Sequence, residues 1–208
     1  MRIEKLSTTA DRAGRYRLTL DDGTILRLYR QTVEDFGLFT GMEMTDEEFA
    51  RLQVAAGQMS AMMRALRIVS ASAVSKQDLT HRLVQKGESP EQAKAAVEWM
   101  ADLDLLDDRK TAEQIVSSCI RKGYGLARAK QALYEKKIPK SLWDEVLADY
   151  PDQASYIREY LCAHLDADAD QKQIKKVIDA LIRRGHSYGT IRHQLDKLDF
   201  DTQEPWED

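Results

Sequence analysis

Four histidines, two cysteines and one spaced run of aspartates are the residues of this chain whose types could support catalysis or metal binding. His81, His164, His186 and His193 lack the spacing of metal ligands. His186 and His193, seven residues apart across an expected turn, read as surface side chains. Cys119 falls on an apolar helical stripe, where a small buried role fits better than that of a nucleophile. Asp166-Ala-Asp168-Ala-Asp170 resembles the start of a calcium loop, but Gln171 stands where the loop needs Gly and Val177 where it needs Glu. The run therefore reads as an acidic linker whose last carboxylate caps the helix starting at Gln171. Gly123-Tyr124-Gly125 is too short for a phosphate-cradling loop. The expectation is a protein that is no enzyme and that uses no metal and no cofactor.

What the chain does offer is segregated charge. Residues 121–140 hold Arg121, Lys122, Arg128, Lys130, Lys136, Lys137 and Lys140 against Glu135 alone. Residues 171–197 hold Lys172, Lys175, Lys176, Arg183, Arg184, Arg192 and Lys197 against Asp179 and Asp196. Acids gather instead at Asp102, Asp104, Asp107 and Asp108, and after Leu198 at Asp199, Asp201, Glu204, Glu207 and Asp208. A charge run is often only a solvated helix face. Two basic blocks in equivalent places could also form one positive strip suited to phosphates or to an acidic protein surface. The net charge of −4 over 208 residues hides this pattern and argues against a protein that coats nucleic acid by bulk charge.

Helices must position most of these residues. The chain is 43% hydrophobic and 32% charged with only 10 Gly and 4 Pro, a globular and helix-prone composition. It has no apolar run of membrane-spanning length and no export signal, so a cytoplasmic location is expected. The one strand signal lies within residues 1–40. Tyr16, Leu18 and Leu20 alternate with polar residues, Asp21-Asp22-Gly23-Thr24 makes a turn, and Ile25 to Tyr29 resumes the pattern. Ile3 and Leu6 could add a third strand. From Thr45 onward apolar residues recur with helical spacing: Leu52, Ala55, Ala56, Met59, Met63 and Leu66, then Ala112, Ile115, Val116, Cys119 and Ile120, then Ile174, Val177, Ile178, Leu181 and Ile182.

Three segments also align with one another. Leu83-Val-Gln-Lys86-Gly87-Glu-Ser89-Pro90, Leu133-Tyr-Glu-Lys136-Lys137-Ile-Pro139-Lys140 and Leu181-Ile-Arg-Arg184-Gly185-His-Ser187-Tyr188 are spaced by 50 and 48 residues. Each reads as a helix ending on a cation, a left-handed turn residue and a cap for the next helix. Lys137 stands where the other two have Gly, so that turn is either strained or differently built. Ser75 to Asp78 resembles a capping box, and Pro139 suits the first turn of its helix. The chain thus reads as mainly α, with three tandem three-helix repeats forming an elongated curved array behind a small N-terminal β-hairpin or sheet. The expected divisions are 1–44, 45–106, 107–150, 151–199 and an acidic tail at 200–208.

The order of these motifs resembles the RecX regulatory proteins. Leu105-Leu106-Asp107-Asp108, Ala112, Lys122-Gly123-Tyr124-Gly125, Leu133 and Lys136 match the family's central motif. Leu79, Leu83, Lys86 and Gly87 fit its first repeat, and Arg183-Arg184-Gly185-His186-Ser187 its third. Thr111, in place of an aromatic, and Lys137, in place of a glycine, depart from the pattern. The resemblance implies regulation, mostly inhibition, of the RecA recombinase in DNA recombination and repair. Such proteins bind the groove of the RecA filament on DNA or cap its growth, suppressing ATPase, strand exchange and co-protease activity. RecA and its filament are then the expected partners, direct DNA contact is a further option, and no membrane is involved.

Charge and repeat placement, independently of the resemblance, select Arg121, Lys122, Tyr124, Arg128, Lys130, Lys136 and Lys140 as contact residues. Arg183, Arg184 and Arg192 support them, and the protein is expected to act as a monomer. Two other readings remain: a helical-repeat protein acting directly on the nucleic-acid backbone, and a scaffold for some other protein.

Overall fold

Three short strands open the chain, and ten α-helices follow among the described residues, as seen in a computed structural model. The structure describes residues 1–166 and 169–198. Asp168 of the acidic linker, Asp199 and the tail at 200–208 lie outside the described residues. The chain divides into two compact units, one from Met1 to Asp107 and one from Asp108 onward.

In the first unit, β1 (Ile3–Leu6), β2 (Arg15–Leu20) and β3 (Ile25–Tyr29) form an antiparallel sheet in the order β1-β2-β3. Gly23 takes a left-handed backbone in the hairpin turn, and Asp22 accepts hydrogen bonds from Thr24 through both carboxylate oxygens. The alternation read from the sequence places Leu18, Leu20 and Leu28 on the buried face, with Ile3 beside them. That face is covered by Leu38, Met44 and Leu52. A short helix, α1 (Arg30–Asp35), continues directly from β3.

Helix α2 (Asp46–Ala71) starts at a Thr45–Glu48 capping box and runs for 26 residues, about 39 Å at 1.5 Å per residue. It serves two cores. Leu52 closes the sheet, while Ala61 and Ala65 pack with α3 (Lys76–Gln85) and α4 (Pro90–Asp102). The stripe expected through Met59 and Met63 is therefore displaced: those residues are half-buried and the two alanines are fully buried. Small residues win because α4 comes close. A Cβ at Gly57 would overlap the Gln92 side chain. Glu88, buried in the α3–α4 turn, accepts from Ser60 at 3.1 Å and pairs with Arg64 at 2.7 Å.

In the second unit, α5 (Asp108–Arg121), α6 (Leu126–Glu135), a 3-10 turn at Lys140–Leu142 and α7 (Trp143–Leu147) come first. The helices α8 (Ala154–His164), α9 (Gln171–Arg183) and α10 (Tyr188–Asp196) follow. Asp170 caps α9 through a box with Gln173, as the linker reading required. Ile174, Val177, Ile178 and Leu181 are buried, whereas Ile182 is exposed, so the third apolar stripe ends one residue earlier than expected.

The aligned segments share one hydrogen-bonded turn. After α3, α6 and α9, the amide of Glu88, Ile138 or His186 donates to the carbonyl of Leu83, Leu133 or Leu181 at 3.1, 3.0 and 3.2 Å. The amide of residue 87, 137 or 185 donates to residue 84, 134 or 182 at 2.9, 2.9 and 2.8 Å. This is the Schellman pattern, with the two ends of the longer bond both buried. Gly87 and Gly185 have φ of 93° and 86°, and Lys137 adopts φ 53° in the same turn. The middle turn is thus strained and built like its neighbours. Pro139 stands one residue ahead of the 3-10 turn, whose tighter start displaces it from the helix proper. Ser75, Ser89 and Ser187 cap the succeeding helices, Ser75 by accepting from the Asp78 amide at 3.1 Å.

A non-glycine left-handed residue costs roughly 1–2 kcal/mol, and a glycine's extra unfolded-state freedom costs roughly 0.5–1 kcal/mol. Lys137→Gly is therefore expected to raise stability by about 0.5–1 kcal/mol in urea denaturation, whereas Gly87→Ala lowers it. A loss of stability in Lys137→Gly would contradict the turn geometry.

Candidate partner-binding surface

The two basic blocks meet where the α5–α6 turn lies against the α9–α10 turn, inside the second unit. The Gly125 amide donates to the Arg184 carbonyl at 2.9 Å, and His186 Nε2 donates to the Gly123 carbonyl at 3.0 Å. Backbone must touch backbone here. A Cβ on Gly125 would overlap the Gly185 carbonyl, and one on Gly185 would overlap the backbone of Arg128. Gly123, with φ 63°, lies under the Tyr156 ring.

An aromatic nest closes around the contact. Arg184 Nη1 donates to the Tyr156 hydroxyl at 2.7 Å, and its guanidinium lies 5.0 Å from the Tyr160 ring centre. The Tyr156 and His186 rings stack at 5.7 Å, and those of Tyr160 and His164 at 4.0 Å. Burial pushes the Tyr150 phenol up to about 12, so it stays protonated and donates to the Tyr124 carbonyl at 2.6 Å. His186 is buried, contrary to the surface position expected for it, because it fills the site that Glu88 and Ile138 occupy in the other turns. Desolvation holds its pKa below the usual 6.5, Arg184 adds to the lowering, and the bond to Gly123 opposes it.

The expected contact residues separate into engaged and outward groups. Arg184 is half-buried in the nest, Arg128 pairs with Glu135 at 3.4 Å, and Arg192 pairs with Asp196 at 3.1 Å. Tyr124 is half-buried in its turn, and Lys136, also half-buried, ends α6 as its C-cap. Arg121 and Lys122 are exposed at the end of α5, Lys130 on α6, Lys140 at the 3-10 turn and Arg183 at the end of α9. The junction brings Lys122, Tyr124, Arg128 and Arg184 together through Gly125, Gly185 and the Lys122 carbonyl, 3.5 Å from Arg184 Nη1. Lys130, Lys140, Arg183 and Arg192 take no part in these junction bonds. Tyr150, Tyr156, Tyr160 and His186 went unselected in the sequence. Their signal was the pair of glycines flanking Tyr124 and the histidine in a place shared by Glu88 and Ile138.

Beside the junction, the first turns of α6 and α10 together with Leu147, Ala148 and residues 150–153 line a cleft of about 600 Å³. Its one carboxylate, Asp152, accepts from the Ala154 amide. Among the described residues, no group of three or more His, Cys, Asp or Glu could hold a metal ion. No described helix is long and apolar enough to cross a membrane.

Residues 107–147 match the family model for the second three-helix domain of RecX. The regulatory protein RecX of Chlorobaculum tepidum is 32% identical over 139 residues, covering 65% of this chain and 86% of the relative. The chain belongs to the RecX family of regulatory proteins. The RecX of Prosthecochloris aestuarii is 30% identical over 141 residues and 93% of its length. That of Clostridioides difficile is 24% identical over 203 residues, which spans 95% of this chain. Among solved structures, a regulatory protein RecX superposes with a TM-score of 0.61 over 94% of this chain at 22% identity. The RecX of Lactobacillus salivarius gives 0.58 over 70% at 21% identity. These two likenesses concern the fold: a mainly helical RecX chain. RecX proteins are regulators, and the chain is classed with them rather than with enzymes.

Two outcomes follow from the junction. Gly125→Ala is expected to destabilise the second unit by about 1–3 kcal/mol in chemical denaturation, the usual cost of overpacking against a fixed neighbour. Because the folded pKa of His186 is lowered, its contribution is complete above pH 6.5 and is lost as the pH falls from 6.5 toward the folded value. Thermal melts between pH 7 and pH 5 should show a shallower decline in His186→Gln than in the parent. Equal slopes would contradict the assignment.

Proposed function

We propose that this RecX-family protein regulates the RecA recombinase, acting in the cytoplasm as a monomer that binds the RecA filament on DNA. It lowers RecA ATPase, strand exchange and co-protease activity and catalyses nothing itself. The observation that supports this reading is the repeated turn: α3, α6 and α9 end in the same pair of backbone hydrogen bonds, one in each of the three repeats that we place at 45–106, 107–150 and 151–199. A repeating protein is the natural partner for a repeated surface. Several weak contacts made by one chain add through effective concentration, so each contact can be modest.

Basic side chains steer the approach. Arg121, Lys122, Lys130, Lys140 and Arg183 are exposed, and they meet an acidic protein surface or the phosphates within the filament. Arg184, Arg128, Arg192, Lys136 and Tyr124 shape that surface from half-buried positions. A second reading, direct action on bare DNA, draws on the same cations. It requires binding that collapses steeply with salt, because phosphate contacts release counterions.

Substoichiometric protein is expected to reduce ATP hydrolysis and strand exchange by the RecA of its own species. Lys130→Glu combined with Arg183→Glu should weaken the effect several-fold without lowering the melting temperature. No effect of the parent protein at any ratio would refute the RecA reading. Tight binding to naked DNA that vanishes at moderate salt, without filament binding, would favour the second.

A further inference from the structure

The N-terminal sheet buries one face, and strand register sets what the other face carries. Arg15 lies opposite Tyr29, Arg17 opposite Arg27 and Thr19 opposite Ile25. These residues alternate with Leu18, Leu20 and Leu28 of the buried face. Arg17 and Arg27 are both exposed, and directly opposed residues hold their Cβ atoms roughly 4.5–5.5 Å apart. Like charges in that position repel and weaken a sheet. Neither β2 nor β3 contains an acid to offset them. Among the described residues, neither guanidinium has an ion-pair or hydrogen-bond partner. The backbone beneath is fixed on the β1 side as well. The Arg17 amide donates to the Ser7 hydroxyl at 2.9 Å, and the Ser7 amide donates to the Arg17 carbonyl at 2.9 Å.

A third guanidinium joins from α2. Arg67 is exposed, and its Nη2 donates to the Tyr29 hydroxyl at 3.0 Å, a neutral partner that leaves the charge uncompensated. Arg15 is the exception, because Asp11 holds it at 2.9 Å. Glu4, the sole acid in the three strands, sits at the β1 bulge beside Lys5, which faces Thr19. The face is thus a rigid cationic patch centred on Arg17 and Arg27, separate in sequence from the basic blocks at 121–140 and 171–197.

Its make-up selects the partner. Protein interfaces centre on apolar side chains and keep charge at the rim. Here the charges are central, and the exposed Ile25 stands at the turn end of the hairpin. Proteins that hold single strands stack bases on aromatic rings. The ring this face carries, Tyr29, is half-buried with its hydroxyl engaged. A stiff, dense array of phosphates meets the remaining requirement, and duplex DNA presents one charge about every 1.7 Å of its axis. The arginine fork matches a phosphate with two parallel hydrogen bonds.

We infer that the outer face of the N-terminal sheet binds the phosphate backbone of duplex DNA through Arg17, Arg27 and Arg67. The phosphates relieve the repulsion between Arg17 and Arg27 that the free sheet carries. The inference does not draw on the RecA reading, and a filament on single-stranded DNA gives this face nothing to bind.

The test titrates the full chain against a short duplex of arbitrary sequence, and against one of its single strands, over a series of salt concentrations. It compares the parent with Arg17→Gln/Arg27→Gln, with Arg27→Glu and with Lys130→Glu/Arg183→Glu, and records melting curves for all four. The parent should bind the duplex more tightly than the single strand. The glutamine pair should lower duplex affinity roughly tenfold at low salt and make the slope of log affinity against log salt shallower by roughly two. Arg27→Glu should weaken duplex binding at least as much. It should also raise the melting temperature by about 1–3 °C, because the new carboxylate pairs with Arg17 across the strands. Parental duplex affinity in the glutamine pair, or a loss confined to Lys130→Glu/Arg183→Glu, would overturn the sheet site. Equal parental affinity for the single strand, lost in the same pair, would overturn the duplex as the occupant. A parent that binds no duplex would leave the face to an acidic protein and overturn the inference. A melting temperature lowered by Arg27→Glu would remove the repulsion that singles out this face and overturn it too. None of these readouts involves RecA, so the RecA reading is tested separately.

Discussion

One left-handed residue at the end of each middle helix governs the helical part of this protein. Residues 87, 137 and 185 reverse the chain so that the carbonyls of Leu83, Leu133 and Leu181 are bonded from residues 88, 138 and 186. That bond buries a leucine and the residue five places later in one step, and it starts the next helix at a set angle. The packing of the core leucines and the placement of the basic helix ends follow from it. Lys137 shows how strong the constraint is, since the turn forms there despite the steric cost of a side chain at φ 53°.

The junction in the second unit adds a second requirement, that two such turns touch through their backbones. Gly125 and Gly185 permit the contact, and His186 and Arg184 secure it with side chains that sequence patterning assigns to the surface. The cations of the chain are consequently divided in role. Arg184 satisfies tyrosines and a carbonyl, whereas Lys130 and Arg183 face solvent from neighbouring parts of the same repeats. A count of charges treats these as equal. Their surroundings do not.

Much of this was legible in the sequence because periodicity and turn chemistry are local. The hairpin around Gly23, the third strand at Ile3–Leu6, the caps at Ser75, Ser89, Asp170 and Ser187 and the three aligned turns all follow from nearby residues. What local pattern could not supply was the identity of long-range neighbours. Met59 and Met63 look as buried as Ala61 and Ala65 until α4 is known to approach over Gly57 and exclude larger side chains. His186 looks like a surface histidine until the Gly123 carbonyl, 63 positions away, is placed against it. The exposure of Val84, Tyr134 and Ile182 is equally invisible, because helical apolar residues next to a buried leucine are ordinarily core.

A surface repeated once per helical repeat should be covered once per repeat. Hydrogen–deuterium exchange of the full chain, alone and bound to RecA filaments on single-stranded DNA, reads this directly. The account expects new protection at the ends of α3, α6 and α9, around residues 82–86, 132–136 and 180–184, with the N-terminal sheet unchanged. Protection confined to the sheet, or to a single repeat, would contradict a repeated interface.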